Sequence, residues 1–176
     1  MKKYRLTEET IRVGNRTLYR IQALRDFGEV KEGELGGYIE AEKNLSQCCD
    51  AWVSGNAWVY GDAWVSDNAR VYGNAWVYGN ARVSDDARVS GDSRVSGDAD
   101  IKTAGDICSM SGFGSEYRTT TAFRTKNGDV HVSCGCFFGS LEEFCQRVES
   151  THGNNLYGRE YKKMIEMLKI HFEVEP

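Results

Sequence analysis

The side chains able to act as bases or nucleophiles are concentrated after residue 104. All three histidines lie there, His131, His152 and His171, with four of the six cysteines, Cys108, Cys134, Cys136 and Cys145. Catalysis by a Cys-His pair needs both side chains to converge. In "VHVSCGC" (130–136) strand alternation sets His131 on the face opposite Cys134. His152 precedes Gly153 at the end of a helical stretch, where the helix dipole favours an imidazolium without any catalytic task. His171, beside Phe172, falls at the surface on the last turn of a second helix. No nucleophile, base and orienting group come together, so the expectation is a protein that is not an enzyme.

A metal site is opposed by spacing. Cys134-x-Cys136 lacks the C-x2-C step of a zinc knuckle, and alternation turns both thiols the same way as Val130 and Val132, into a core. Adjacent Cys48 and Cys49 could hardly close a disulfide in strand geometry. We expect reduced, small buried cysteines in a reducing compartment, with no metal and no cofactor. "SEYRTTT" (115–121) has two readings. One is a threonine-rich edge strand. The other is a polar strip in which Ser115, Arg118 and Thr120, joined by His131 where the neighbouring strand turns it the same way, bind an anion such as phosphate.

The elements that must position these groups begin with a repeat. From residue 51 the chain reads AWVSGN, AWVYGD, AWVSDN, ARVYGN, AWVYGN, ARVSDD, ARVSGD, SRVSGD and a decayed ADIKTA. Self-similarity every six residues predicts a left-handed parallel β-helix, with Val inward, the small Ala inside near a corner, and Gly-Asn or Gly-Asp turning it. Three hexads make one coil of 18 residues, and the two deviant corners, "SDN" (66–68) and "SDD" (84–86), are spaced by that interval. Every third hexad therefore stacks. On one face Trp58 lies under Trp76 and Arg94, with Tyr60 under Tyr78; Trp52 with Arg70 and Arg88, and Trp64 with Arg82, mark the other two. These columns either rigidify the surface or, as we favour, form a binding interface of Trp58, Tyr60, Trp76, Tyr78, Trp52 and Trp64, most simply in a homotrimer.

"GELGGY", "IEAEKN" and "LSQCCD" fit the same register, with Leu35 and Ala41 in the Val slot and Ile39 and Leu45 in the Ala slot. The predicted division is a hairpin cap over 1–32 turning at Gly14-Asn15, a β-helix of about four coils over 33–104, and an α+β domain over 105–176. In the last, Asn127-Gly128 signals a type I′ hairpin turn. Ser140 and Glu143 form a capping box for a helix with Leu141, Phe144, Cys145 and Val148 inward. A second helix over about 156–172 buries Tyr161, Met164, Ile165, Leu168 and Phe172.

At 176 residues and 40% hydrophobic, the chain can bury one respectable core or two small ones. Its net charge of −4 leaves no segment basic, which disfavours duplex DNA. No apolar run approaches a membrane span, and "MKKYRLTEET" lacks a signal-peptide core, so a cytoplasmic protein is expected.

"KKYRLTEET", "LYRIQALRDFGEVKEGELGGYIEAEKNLSQ" and the hexads resemble a family of uncharacterised bacterial hexapeptide-repeat proteins, labelled transferases or polymer-forming by analogy. "FGSEYRTTTAFRTKNGDVHVSCGCFFGSLEEF" is similar to a small domain of gut bacterial and prophage proteins. The resemblance implies a left-handed β-helix and a mobile-element origin, with no activity attached. Acyltransferases of this fold use a His among the coils and a loop over the donor; residues 51–104 have neither. The leading expectation is a non-catalytic binding or scaffold protein in the bacterial host cell, inhibiting a defence system by binding a protein or sequestering a nucleotide-like signal. An acyltransferase is the first alternative. A single-strand nucleic-acid binder using Arg70, Arg82, Arg88 and Arg94 among the aromatics is the second.

Overall fold

A chain that offers an aliphatic and a small side chain every six residues can bury both only by turning at regular intervals and stacking on itself. The computed structural model describes residues 2–174. It divides into two compact units, Met1–Ala104 and Gly105–Pro176.

In the first unit, β1 (Tyr4–Val13) and β2 (Arg16–Ala23) form an antiparallel hairpin. Strand β3 (Leu35–Ile39) follows, then one two-residue strand per hexad: β4 (Trp52–Val53), β5 (Trp58–Val59), β6 (Trp64–Val65), β7 (Arg70–Val71), β8 (Trp76–Val77), β9 (Arg82–Val83), β10 (Arg88–Val89), β11 (Arg94–Val95) and β12 (Asp100–Ile101). They build a parallel β-solenoid with three faces, β3-β5-β8-β11, β4-β7-β10 and β6-β9-β12. From β4 onward each residue pairs with the one 18 later, as Val53 with Val71 and Val65 with Val83. The inward column is sealed: Val59, Val77 and Val95 are 0% exposed, as are Ala57 and Ala75. Burying each Val contributes on the order of 2 kcal/mol.

Corners obey one backbone rule. The fifth residue of each of the first eight hexads has a positive φ, whether it is Gly, as at Gly55 and Gly73, or Asp, as at Asp67 (56°) and Asp85 (52°). Asp tolerates this region better than most L-residues, which is why one edge can dispense with Gly. Asn and Asp then form vertical hydrogen bonds one coil apart, Asn74 Nδ2 donating to Asp92 Oδ1 at 3.0 Å and Asn68 Nδ2 to Asp86 Oδ1 at 3.2 Å.

The first coil departs from the expected register. Ile39 pairs with Val59 and Leu45 bridges to Val65, so both occupy the Val slot, 20 residues ahead of their partners rather than 18. Leu35, expected inside, is 46% exposed. Two extra residues lie between Leu45 and the corner at Cys49, whose φ is 53°. Gly36 and Gly37 explain the tight start: a Cβ on Gly36 would come 2.6 Å from the Val53 carbonyl oxygen, and one on Gly37 2.6 Å from that of Ala57. The hairpin continues the solenoid sheet, in the order β1-β2-β3-β5-β8-β11.

Polar side chains finish this end. Asn44, fully buried, donates to the carbonyls of Gly61 (3.0 Å) and Ala63 (2.9 Å) and accepts from the Ala41 N–H. Gln47 accepts from the Lys3 N–H at 2.8 Å and donates to the Tyr4 carbonyl at 3.3 Å, in place of a strand.

The second unit is a four-stranded antiparallel sheet, β13 (Ile107–Phe113), β14 (Arg118–Arg124), β15 (Val130–Cys134) and β16 (Phe137–Ser140), in sequential order. Helices α1 (Leu141–His152) and α2 (Leu156–His171) follow. Ala122, Val130 and Val132 pack with Leu141, Phe144, Tyr161 and Leu168 in its core. The Ser140–Glu143 capping box forms, and Gly153 ends α1. The β14–β15 turn differs from type I′: only Gly128, not Asn127, has a positive φ, and the Gly128 N–H donates to the Thr125 carbonyl. That is a tight turn closed by a left-handed glycine. Among the described residues no helix is long and apolar enough to cross a membrane.

Candidate functional site

Outward positions of the β3-β5-β8-β11 face carry two aromatic columns. Trp58 and Trp76 are ladder partners, so their indoles stack, with centroids 4.6 Å apart and planes 12° from parallel. Above them the Arg94 guanidinium lies 4.4 Å from the Trp76 ring, and below them Tyr38 pairs with Trp58. Arg20 of the hairpin covers Tyr38 at 5.5 Å. In the second column Tyr60 stacks on Tyr78 at 5.2 Å, with Arg16 5.9 Å from Tyr60. Stacking leaves the four residues half-buried.

Charge pins the hairpin end of this surface. Glu9 accepts from the Tyr38 hydroxyl at 2.7 Å and from Arg20 at 2.9 Å, and these bonds hold its carboxyl below the usual range. Burial pushes the Glu40 carboxyl up, but hydrogen bonds from the Gly61 N–H and Arg16 outweigh it and leave the group lowered. The Tyr60 hydroxyl is pushed up, first by burial and then by Tyr78.

Two expected interface residues do not join this surface. Trp52 is 2% exposed, held edge-on by Tyr4 (6.3 Å) and Phe27 (5.3 Å), because β4 begins its sheet and the chain ahead of it covers the open end. Trp64 is 43% exposed but belongs to the β6-β9-β12 face.

Residues 63–79, 75–91 and 81–97 match a family model described as the YdcK beta solenoid repeat. The protein is a repeat β-solenoid. No curated protein matches the chain.

In the second unit the expected anion cluster is not assembled. Register pairs Thr120 with Cys134 and Ala122 with Val132, on the side facing the helices, whereas His131 pairs with Phe123 on the other. Thr120 is 2% exposed and its hydroxyl donates to Cys134 Sγ at 3.2 Å. Arg118 approaches Glu116 at 3.8 Å, and Ser115 lies in the turn between β13 and β14. His131 meets the Phe138 ring edge-on, and its Nδ1 is buried without a hydrogen-bond partner.

The cysteines also divide. Cys108, Cys134 and Cys145 pack against the core, and burial raises the Cys108 thiol. Cys48, Cys49 and Cys136 are exposed, against expectation, because corners and turns rather than strands hold them. At Cys136 the left-handed Gly135 (φ 60°) breaks the alternation that would have turned it inward. Among the described residues no three His, Cys, Asp or Glu side chains converge as metal ligands.

Sequence reasoning missed Arg16, Arg20 and Glu9 as parts of the aromatic face. Their only signal was the hairpin's order, since a hairpin that extends a sheet must place outward residues beside the next strand's.

Proposed function

We propose that the protein is a non-catalytic binding or scaffold protein whose β3-β5-β8-β11 face is its interface. The observation that carries this reading is the pair of stacked columns, Trp58 on Trp76 and Tyr60 on Tyr78, closed by Arg at both ends of the first. Rigid, pre-stacked aromatics lose little side-chain entropy on association, and Trp, Tyr and Arg dominate binding energy at interfaces. Self-association in threes along this face is the assembly we propose, in the cytoplasm of a bacterial host, for a protein of mobile-element origin. A host defence component is the target class, a protein to be blocked or a nucleotide-like signal to be sequestered.

Absence of His from residues 51–104 and the uninterrupted hexads support a non-catalytic role. Arg94 covers Trp76, whereas Arg70 and Arg88 are ladder neighbours on a second face and Arg82 lies on a third, which divides the four arginines instead of gathering them into one basic strip.

Sedimentation equilibrium of the full chain tests the assembly. We expect three times the monomer mass for the wild type and monomer for Trp58→Gln/Trp76→Gln with unchanged circular dichroism. A wild type that stays monomeric, or a trimer indifferent to both substitutions, removes this face from the argument. Turnover of acetyl-CoA on an amine or hydroxyl acceptor would overturn the non-catalytic role.

A further inference from the structure

The chain between Leu45 and Ala51 is longer than the hexad register requires, and the longer path carries Cys48 and Cys49 to one corner together. Their backbone is not a strand. Both carbonyls accept from a single atom, Lys3 Nζ, at 3.1 Å and 3.3 Å, whereas extended neighbours turn successive carbonyls opposite ways. Cys49 has a φ of 53°, far from the extended values that would send its side chain to the face opposite that of Cys48. The Cys48 N–H donates to Ser46 Oγ at 3.1 Å, and the Ala51 carbonyl also serves Lys3, at 2.8 Å, so the bend is held on both sides. With the carbonyls turned to the ammonium, both residues are exposed, and neither thiol makes a hydrogen bond among the described residues.

Adjacent residues have Cα atoms about 3.8 Å apart. Two metal–thiolate bonds of about 2.3 Å each, the length zinc shows, bridge a gap of that size. Ligand number and charge then select the ion. Among the described residues no third His, Cys, Asp or Glu converges with the two cysteines, which leaves a tetrahedral zinc centre without half of its ligands. Cu(I) is a soft ion that thiolates select, and it needs fewer ligands. Besides the two thiols, the charged groups that act on Lys3 are Asp50 and Arg25. Lys3 and Arg25 outweigh Asp50 by one positive charge. Two thiolates around a monovalent ion carry one negative charge and cancel that surplus, whereas a divalent ion would leave it standing.

We propose that Cys48 and Cys49 form a two-thiolate site for a single Cu(I) ion, with the Lys3 ammonium behind their carbonyls offsetting its charge. On binding, two S–H bonds break, two Cu–S bonds form and two protons leave to solvent, while copper stays monovalent. The site shares no residue with the aromatic columns and does not rest on the reading of that face.

Anaerobic titration of the full chain with Cu(I) against a chromogenic chelator, in a phosphine reductant, is the test. We expect the wild type to withdraw one ion per chain. Cys48→Ser and Cys49→Ser each lose the second, intramolecular bond and should bind about a hundredfold more weakly, while Cys136→Ser, which alters another exposed thiol, should bind like the wild type. X-ray absorption of the loaded chain should show two sulfur neighbours on copper. Phenylarsine oxide, which bridges only thiols that can approach each other, should add to the wild type with loss of one water and fail to add at this corner in either serine variant. Lys3 is served by carbonyls rather than side chains here, so unchanged thermal unfolding of the apo variants verifies the fold. Copper affinity indifferent to both serine variants, an equal loss in Cys136→Ser, or displacement of copper by equimolar zinc overturns the proposal.

Discussion

Lys3 is completely buried, and its ammonium group replaces the missing coil at the open end of the solenoid. It donates to the carbonyls of Cys48 (3.1 Å), Cys49 (3.3 Å) and Ala51 (2.8 Å) and lies 5.0 Å from the Phe27 ring. Burial pushes its pKa down to about 8 from the usual 10.5, though Asp50 pulls it part of the way back. Above pH 8 the folded chain has released a proton that the unfolded chain keeps until 10.5, so rising pH favours folding in that window. Tyr4 works the other way. Burial raises its hydroxyl above the usual 10.0, so above that pH the unfolded state ionises first and stability falls. Urea unfolding from pH 7 to 11 should show stability rising from about pH 8, then turning down near pH 10. Lys3→Met should abolish the rise and cost about 2 kcal/mol at pH 7, because the carbonyls lose their donor. A variant that keeps the rise would remove Lys3 as its cause.

At the scale of the element, the corners distinguish two costs of replacing glycine. Gly73 (φ 75°) and Gly91 (φ 64°) have equivalent places one coil apart. A Cβ on Gly73 would lie 3.0 Å from the Gly91 nitrogen, whereas one on Gly91 meets nothing within 4 Å. Gly91→Ala therefore carries only the left-handed backbone penalty, about 1 to 2 kcal/mol, and Gly73→Ala adds a steric one. Thermal unfolding should rank Gly73→Ala below Gly91→Ala, and equal midpoints would mean that the coils shift to make room. Corner and coil were legible beforehand because "SDN" and "SDD" recur at the stacking interval of 18 residues. The first coil was not. Its extra residues between Leu45 and Cys49 have no marker, and Asn44, Gln47 and Lys3 replace hexad geometry with side-chain bonds that periodicity does not encode. Strand β13, "ICSMSGF", was equally silent, since small and polar residues dominate it and its partner strand supplies the β-branched ones. The anion cluster failed on parity alone: Thr120 and His131 are on neighbouring strands but pair with residues of opposite faces.

For the whole molecule the governing problem is open strand edges. A parallel solenoid cannot close on itself, so its terminal coil offers unpaired backbone groups to any similar end. Here β1 and β2 extend one face, while Tyr4 and Phe27 cover Trp52 at the start of another. Tyr4 also donates from its hydroxyl to the Leu45 carbonyl at 2.7 Å, which ties the hairpin to the first coil. The cap is therefore part of the solenoid's solubility as well as its stability. A chain beginning at residue 25 would bare the edge of β3, the side of the Trp52 indole now covered by Tyr4, and the carbonyls now served by Lys3. Its core from Val53 to Ile101 would stay intact, because those residues pair with neighbouring coils rather than with the hairpin. We expect the truncated chain to retain its β signal in circular dichroism yet sediment as large, concentration-dependent assemblies, while the full chain sediments as one discrete species. Polar substitution of Trp52 in the truncated chain should lessen that association, since it removes the apolar part of the new end and leaves only backbone groups. A truncated chain that sediments like the full one would mean that the terminal coil needs no cover.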